Sequence, residues 1–471
     1  MLSGKVAVAT GCAIACVAIA CGGISAQNAA DAASDSTTGD SPSDAGDGGC
    51  SPACSGATPT CLSGTCVECS PGELQCAADG AVAQQCTAGG TWTSGYMCPS
   101  GTPLCIADGC VQCRPGSQQC FSDSGVNQLC DDAGSWADAG TCLCCAGACV
   151  DSQNDPKNCG ACAHDCLGAG CIAGACEATT LASVLSNPQN LAVDSNSVYW
   201  TNSGDGTVMK CSVGGCGNNP TQLSSMQNTP LGIAVDSTNV YWANLGDGTV
   251  VDCPLAGCAG NPTKVASGQG APWGIAVNSG SAYWTNYQNV GSTVMMCATG
   301  GCGNSPTLVA SGGYNYTSIV LDSTSIYWTS TAQSGLVFQC PLAGCGATPT
   351  TLISGTNEAS HLAVDSTNVY TANFGDGTVV KRSLGGGNPI VLASQQTGPY
   401  GIAVDSKAVY WTNQSASGSV MKCSLPACGG QPTQLASGQD LPFAIAVDAT
   451  SVYWVNSGTM LRDGSIVKVA K

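Results

Sequence analysis

Charge is scarce in this sequence. Only 9% of its 471 residues are Asp, Glu, Lys or Arg, and 12 cations stand against 30 anions, a net charge of −18. A chain so short of cations is a poor match for polyphosphate, which argues against nucleic acid and anionic membrane surfaces as partners. Histidine occurs twice. There is no metal-spaced His pair and no nucleophile elbow, so the common hydrolytic constellations are missing. Beyond the N-terminus no apolar run approaches the ~18 residues a membrane-spanning helix needs. Glycine (63) and cysteine (35) are abundant instead, and that cysteine density points to an oxidising compartment.

The N-terminus agrees. Lys5 is followed by an apolar stretch from Val6 to Ala20, which reads as a secretory signal over residues 1–21. Ala18-Ile19-Ala20-Cys21 resembles a bacterial lipobox, which implies lipidation of Cys21; with Gly22 next, it resembles outer-membrane sorting. Ala13-Ile14-Ala15-Cys16 is a competing copy, and Ile24-Ser25-Ala26 would suit simple cleavage. Residues 22–49, made almost wholly of small and acidic side chains, cannot bury enough surface to offset their ordering entropy. They are expected to form a flexible acidic tether.

Residues 50–176 hold 22 cysteines in an internal repeat. Cys54, Cys61, Cys66, Cys69, Cys76 and Cys86 recur 44 residues on, from Cys98 to Cys130, and Trp92 and Trp136 obey the same shift. Residues 50–150 are therefore duplicated units in which disulfides must replace a core. In residues 151–176, Cys159, Cys162, His164 and Cys166 have a spacing that could hold a metal. The segment Asp155-Pro156-Lys157-Asn158-Cys159-Gly160-Ala161-Cys162 resembles the cysteine-rich module of the stigma-specific protein family. That resemblance implies that these cysteines pair with one another.

From residue 177 onward one phrase dominates. Leu191-Ala192-Val193-Asp194-Ser195-Asn196-Ser197-Val198-Tyr199-Trp200 returns as Ile233 to Trp242, and again at Trp284, Trp328, Thr371, Trp411 and Trp454, in steps of 42, 42, 44, 43, 40 and 43 residues. A period of this length in β-branched and aromatic runs signals a propeller with one four-stranded blade per repeat. The fold expected is all-β: a seven-bladed β-propeller preceded by a disulfide-rich repeat region. The first segment, Thr180–Leu185, matches a fourth strand, whereas Ile466–Val469 matches a third. Pairing the two would close the ring and remove an exposed edge.

Five Cys-x4-Cys pairs fall between strands three and four: Cys211/Cys216, Cys253/Cys258, Cys297/Cys302, Cys340/Cys345 and Cys423/Cys428. Two sulfurs per loop cannot complete a zinc shell, so local disulfides are expected.

Val198-Tyr199-Trp200-Thr201-Asn202 resembles the YWTD-type propellers of the low-density-lipoprotein receptor family, and related bacterial propeller lipoproteins. The resemblance implies extracellular recognition of a protein ligand. Receptor-type propellers have six blades, however, and their Asp is Asn here in six repeats and Ser330 in the fourth. The Tyr and Trp are accordingly read as blade packing.

Positions that vary between blades are the candidates for function. Five residues before the repeated Asp or Asn stand Gln189, Leu231, Trp273, Thr317, Ser360, Tyr400 and Phe443, with Tyr314 and Tyr316 beside the fourth. Residues of a repeated core should repeat, whereas residues serving one asymmetric ligand should not. Trp273, Tyr400 and Phe443, supported by Tyr316, are therefore the expected anchors for a glycan or an extracellular protein or peptide. They share a face with the Asp-Gly turns at Asp205, Asp247, Asp376 and Asp463. Alternatively, the rings only plug the channel and the chain is a structural spacer of the envelope. A propeller hydrolase or lyase has less to stand on: residues 180–471 hold one His, His361, and one Glu, Glu358, both placed on one loop. No cofactor and no metal is expected, and the chain should be a monomer, tied to a membrane only through its lipid anchor.

Overall fold

The computed structural model describes residues 151–471, apart from 314, 332–334, 427, 428, 430 and 461, together with short strands between residues 60 and 150. The expected lipidation site Cys21 and the tether at 22–49 lie outside the described residues. Every regular element described is a β-strand. Contacts divide the chain into two compact units, residues 1–111 and 112–471.

The 44-residue repeat is visible as repeated hairpins. In the first unit Thr60–Leu62 pairs with Thr65–Val67, and 44 residues later Leu104–Ile106 pairs with Gly109–Val111. The two hairpins have the same register, with Cys61 opposite Cys66 and Cys105 opposite Cys110. Leu74–Cys76 and Val82–Gln85 of the first unit have counterparts in Gln118–Phe121 and Val126–Cys130 of the second.

Seven four-stranded antiparallel sheets form the propeller of the second unit. Blade one runs outward through Pro188–Val193, Ser197–Asn202, Thr207–Ser212 and Thr221–Ser224, and blades two to six repeat that order. Blade seven is composite: Pro442–Val447, Ser451–Asn456 and Gly464–Ala470 are completed by Thr179–Leu185. Thr180 lies opposite Val467 and Leu185 opposite Gly464. The ring closes as the sequence predicts, and the closing sheet leaves neither terminal strand as a free edge.

The tyrosine and tryptophan of each repeat pack blade against blade. Trp200, Trp242, Trp284, Trp328, Trp411 and Trp454 are all fully buried. In the layer between blades one and two, Tyr199 and Val208 meet Ile233 and Trp242. Buried polar atoms are matched by a device that the sequence reading missed. A glutamine 15 residues before the tryptophan accepts from its indole N–H: Gln227 from Trp242 at 3.0 Å, Gln269 from Trp284 at 3.1 Å, Gln396 from Trp411 at 3.1 Å and Gln439 from Trp454 at 2.9 Å. The same oxygen accepts from the asparagine two residues beyond the tryptophan, at 2.9 Å in Asn244 and 3.0 Å in Asn413 and Asn456. The repeated Asn is therefore part of the packing.

A threonine hydroxyl stitches neighbouring inner strands together. Thr201 donates to Leu231 O at 2.7 Å, Thr285 to Thr317 O at 2.7 Å and Thr412 to Phe443 O at 2.6 Å. The strands come so close that a Cβ on Gly232, Gly274 or Gly401 would run into the next blade's carbonyl oxygen, which is why glycine stands there.

Candidate functional site

In every blade the inner strand starts beside the turn between strands two and three, which is Asp-Gly in four of the seven blades. Pro188 lies opposite Asn202, which lies opposite Thr207, whereas Val193 and Val198 lead to Cys211 at the other end. The entry ends of the inner strands thus share a face with the Asp-Gly turns, and the cysteine loops occupy the opposite face. The turn carboxylates are engaged locally. Asp205 accepts from the Thr207 N–H at 3.2 Å and hydroxyl at 2.7 Å, and Asp247 and Asp376 hold Thr249 and Thr378 in the same way.

Each inner strand carries a bulge just after its first residue, as between Pro188 and Leu191. The variable residues sit inside this bulge, so they belong to strands and not to entry loops. A bulge re-aims side chains, and the seven positions fare differently. Leu231, Thr317 and Ser360 are buried. Gln189, Trp273, Tyr400 and Phe443 remain half-buried at the channel mouth.

Tyr400 and Phe443 come together with ring centroids 4.1 Å apart. His361 joins them, 4.8 Å from Tyr400 and 6.2 Å from Phe443, and Phe374 lies edge-on to Tyr400 at 6.2 Å. Trp273 stands three blades away around the ring and stacks on Tyr287 at 5.0 Å. The predicted anchors therefore form two groups. Burial pushes the Tyr400 phenol well above its ordinary range and lowers the His361 imidazole to about 4, so His361 is neutral at pH 7. Its Nδ1 is shielded from solvent and has no hydrogen-bond partner among the described residues.

Tyr316 is a correction. It is 1% exposed and packs on Trp328 and Phe338, at 5.6 and 5.8 Å, inside blade four. The reason lies in Gly313, 15 residues before Trp328, where four other blades place the glutamine. A side chain on Gly313 would collide with the Tyr316 ring. Tyr316 fills the space of the missing glutamine and does not reach the mouth. His361 is a second correction, since it belongs to the inner strand Ala359–Val364 and not to a loop with Glu358.

Below the mouth the channel narrows. Leu191, Ile233, Ile275, Ile319, Leu362, Ile402 and Ile445 form an aliphatic ring, and the cavity above it, lined also by Asn190, Ser318, His361 and Trp273, holds about 160 Å³. That is below the ~300–1,000 Å³ of ordinary ligand pockets, too small to enclose a sugar chain or a peptide. Around it the loops expose Phe374 (38%), Met226 (89%), Val290 (73%) and Met460 (74%).

The opposite face is occupied by staples and caps. Disulfides join Cys211–Cys216, Cys253–Cys258, Cys297–Cys302 and Cys340–Cys345. Cys423 is disulfide-bonded too, and its predicted partner Cys428 lies outside the described residues. Around the cysteine-rich module Cys145 pairs with Cys162, Cys159 with Cys171 and Cys166 with Cys176, so each of the three sulfurs with metal-like spacing is taken up in a disulfide with a cysteine outside that set. On this face the repeated Asp accepts the tyrosine hydroxyl, as in Tyr241 to Asp236 at 3.0 Å and Tyr327 to Asp322 at 2.7 Å. Burial, and then the neighbouring carboxylate, push Tyr241 and Tyr327 up to about 12. Burial opposes ionisation of Asp236, but the N–H groups of Thr238 and Asn239 and the hydroxyls of Thr238 and Tyr241 together outweigh it and hold the carboxyl below its ordinary range.

No protein-family profile matches the chain, and no curated protein is similar to it. Solved structures are similar in fold. A streptogramin B lyase is 12% identical, with a TM-score of 0.50 over 63% of this chain and 97% of that one. Hydrazine synthase of Kuenenia stuttgartiensis is 13% identical, with a TM-score of 0.50 over 61% and 97%. A nidogen/laminin complex is 18% identical, with a TM-score of 0.42 over 51% and 95%. The likenesses to the first two extend to the propeller fold and no further. The disulfides suit a secreted or extracellular location.

Proposed function

We propose that this protein is a non-enzymatic recognition module of the cell envelope, anchored through a lipid on Cys21, which holds an extracellular glycan or peptide across the mouth of its propeller. The observation that carries this reading is the group His361, Tyr400, Phe443 and Phe374 at the mouth, with ring centroids 4.1–6.2 Å apart. The blades around it are otherwise nearly identical. Aromatic surface that is rigid and half-exposed suits the face of a sugar or the apolar side chains of a peptide. Exposed Met226, Val290 and Met460 on the loops of the same face favour a peptide or protein over a lone saccharide.

Screening the purified full chain against glycan and peptide arrays tests the proposal. Saturable binding that is lost when Tyr400 and Phe443 are both changed to Ala supports it. An array without hits, or hits indifferent to those changes, favours the spacer reading. An enzymatic reading has one observation in its favour, the neutral His361 with its unpartnered Nδ1. Among the described residues no carboxylate lines the cavity beside it, which leaves the imidazole without a charged partner for acid–base work.

A further inference from the structure

Four blades carry a lysine opposite the repeated tyrosine: Lys210, Lys381, Lys422 and Lys468. Three of these ammonium groups donate to a main-chain carbonyl in the loop after the third strand of the following blade. Lys210 reaches Leu255 O at 2.6 Å, Lys381 reaches Pro426 O at 2.6 Å and Lys468 reaches Val213 O at 2.8 Å. Lys422 is the exception. The blade that follows it is blade seven, whose outer strand Thr179–Leu185 comes from before blade one, so no loop joins its third strand to its fourth. Residues 163–167 of the cysteine-rich module stand at this junction. Between them and blades six and seven is a cleft of about 580 Å³.

Lys422 lines this cleft together with Lys407 and Lys471, so three of the chain's 12 Lys and Arg gather here. The carboxylates that face the cleft are already engaged. Asp405 is paired with Lys471 and capped by the N–H groups of Lys407 and Ala408. Asp448 accepts the Tyr453 hydroxyl at 2.7 Å and the N–H groups of Thr450 and Ser451. Asp165 is paired with Lys157 at 2.6 Å. Burial lowers the pKa of Lys422, Asp405 opposes that fall, and Lys471 and Lys407 add to it. On the module wall His164 turns Nδ1 to Cys159 O, while its Nε2 is shielded from solvent and without a partner among the described residues.

The geometry points to an anion-binding site in this cleft, for a small ligand bearing a carboxylate or phosphate group. Lys422 is its principal cation, and Lys407 stands beside it. The ligand's oxygen would take the place that a loop carbonyl takes at the other three lysines, and a charged oxygen gains more there because the site is partly desolvated. The site lies on the face opposite the channel mouth and stands independently of the recognition reading.

Calorimetric titration of the full chain at low ionic strength, with inorganic phosphate and separately with glucuronate, tests this inference; glucose is the neutral control. Saturable binding of either anion is expected, weakened about tenfold by Lys422→Met and unchanged by Lys210→Met, whose ammonium is held by Leu255. Phosphate alone or glucuronate alone would each support the site and name its ligand class. Should Lys422→Met fail to fold, Lys407→Met is expected to weaken binding several-fold. Absence of saturable binding by both anions would overturn the inference. So would glucose binding as well as they do, or full binding by the folded lysine variants.

Discussion

Tyr400 and Phe443 occupy equivalent positions in adjacent blades, and their rings lie 4.1 Å apart at an interplanar angle of 35°. The pair is one continuous aromatic surface made by two repeats, which neither blade could offer alone.

Removing that surface should remove binding. Tyr400→Ala and Phe443→Ala are each expected to cost about 2 kcal/mol or more of affinity for a ligand found by array, with thermal unfolding little changed because both rings are half-exposed. Trp273→Ala should cost less, since Trp273 belongs to a separate group with Tyr287. Affinity and unfolding midpoint measured on the same preparations decide the matter. Normal binding by the double variant Tyr400→Ala/Phe443→Ala would make the rings a channel plug.

The buried imidazole sets a pH dependence. His361 is lowered from 6.5 to about 4 by burial, so between these values the unfolded chain binds a proton that the folded chain does not. Stability from this group is therefore complete above pH 6.5 and falls as the pH drops towards 4. The loss should be about 2 kcal/mol, less than the shift alone would give, because the ring is partly open to the channel. Chemical denaturation between pH 7 and 4 should show this fall in the native protein. It should be reduced in His361→Gln, and an identical pH profile in both would exclude the assignment.

Ring closure makes a third case. Thr179–Leu185 supplies the outer strand of blade seven, so deletion of residues 177–186 leaves blade seven short of a strand and opens an edge. The midpoint of denaturant unfolding should fall for the whole propeller, since each blade is buttressed by its neighbours. An unchanged midpoint would mean that the strand is dispensable.

The tryptophan-binding glutamine can be tested with two substitutions at one site. Gln396→Ala leaves the buried Trp411 N–H and Asn413 without their acceptor and should cost ~1–3 kcal/mol. Gln396→Leu should cost less. Blade one has Leu185 at the equivalent place and tolerates Trp200 with its indole N–H unpartnered. Equal losses from the two substitutions would show that filled volume does not matter here.

Much of this structure was legible beforehand because its determinants are local or periodic. Blade count follows from the spacing of Trp200, Trp242 and their successors, and closure follows from the odd strands at the two ends of the repeat. The disulfides Cys211–Cys216 and Cys253–Cys258 need only a tight loop. The candidate site was legible only in part. Tyr400 and Phe443 stood out as variable aromatics, but their contact, and the addition of His361 and Phe374, depend on how adjacent blades approach at the axis.

The sequence by itself therefore determined an all-β seven-fold ring, its point of closure and its staples, since each follows from period and spacing along one strand of chain. Tertiary structure alone decided which unlike residues reach the surface. Tyr316 was turned inward by the absence of a side chain on Gly313, and Lys422 was left without a carbonyl by the composite blade seven. In both cases the deciding neighbour is supplied by the packing of strands against each other, through a volume or an acceptor that no periodic pattern records.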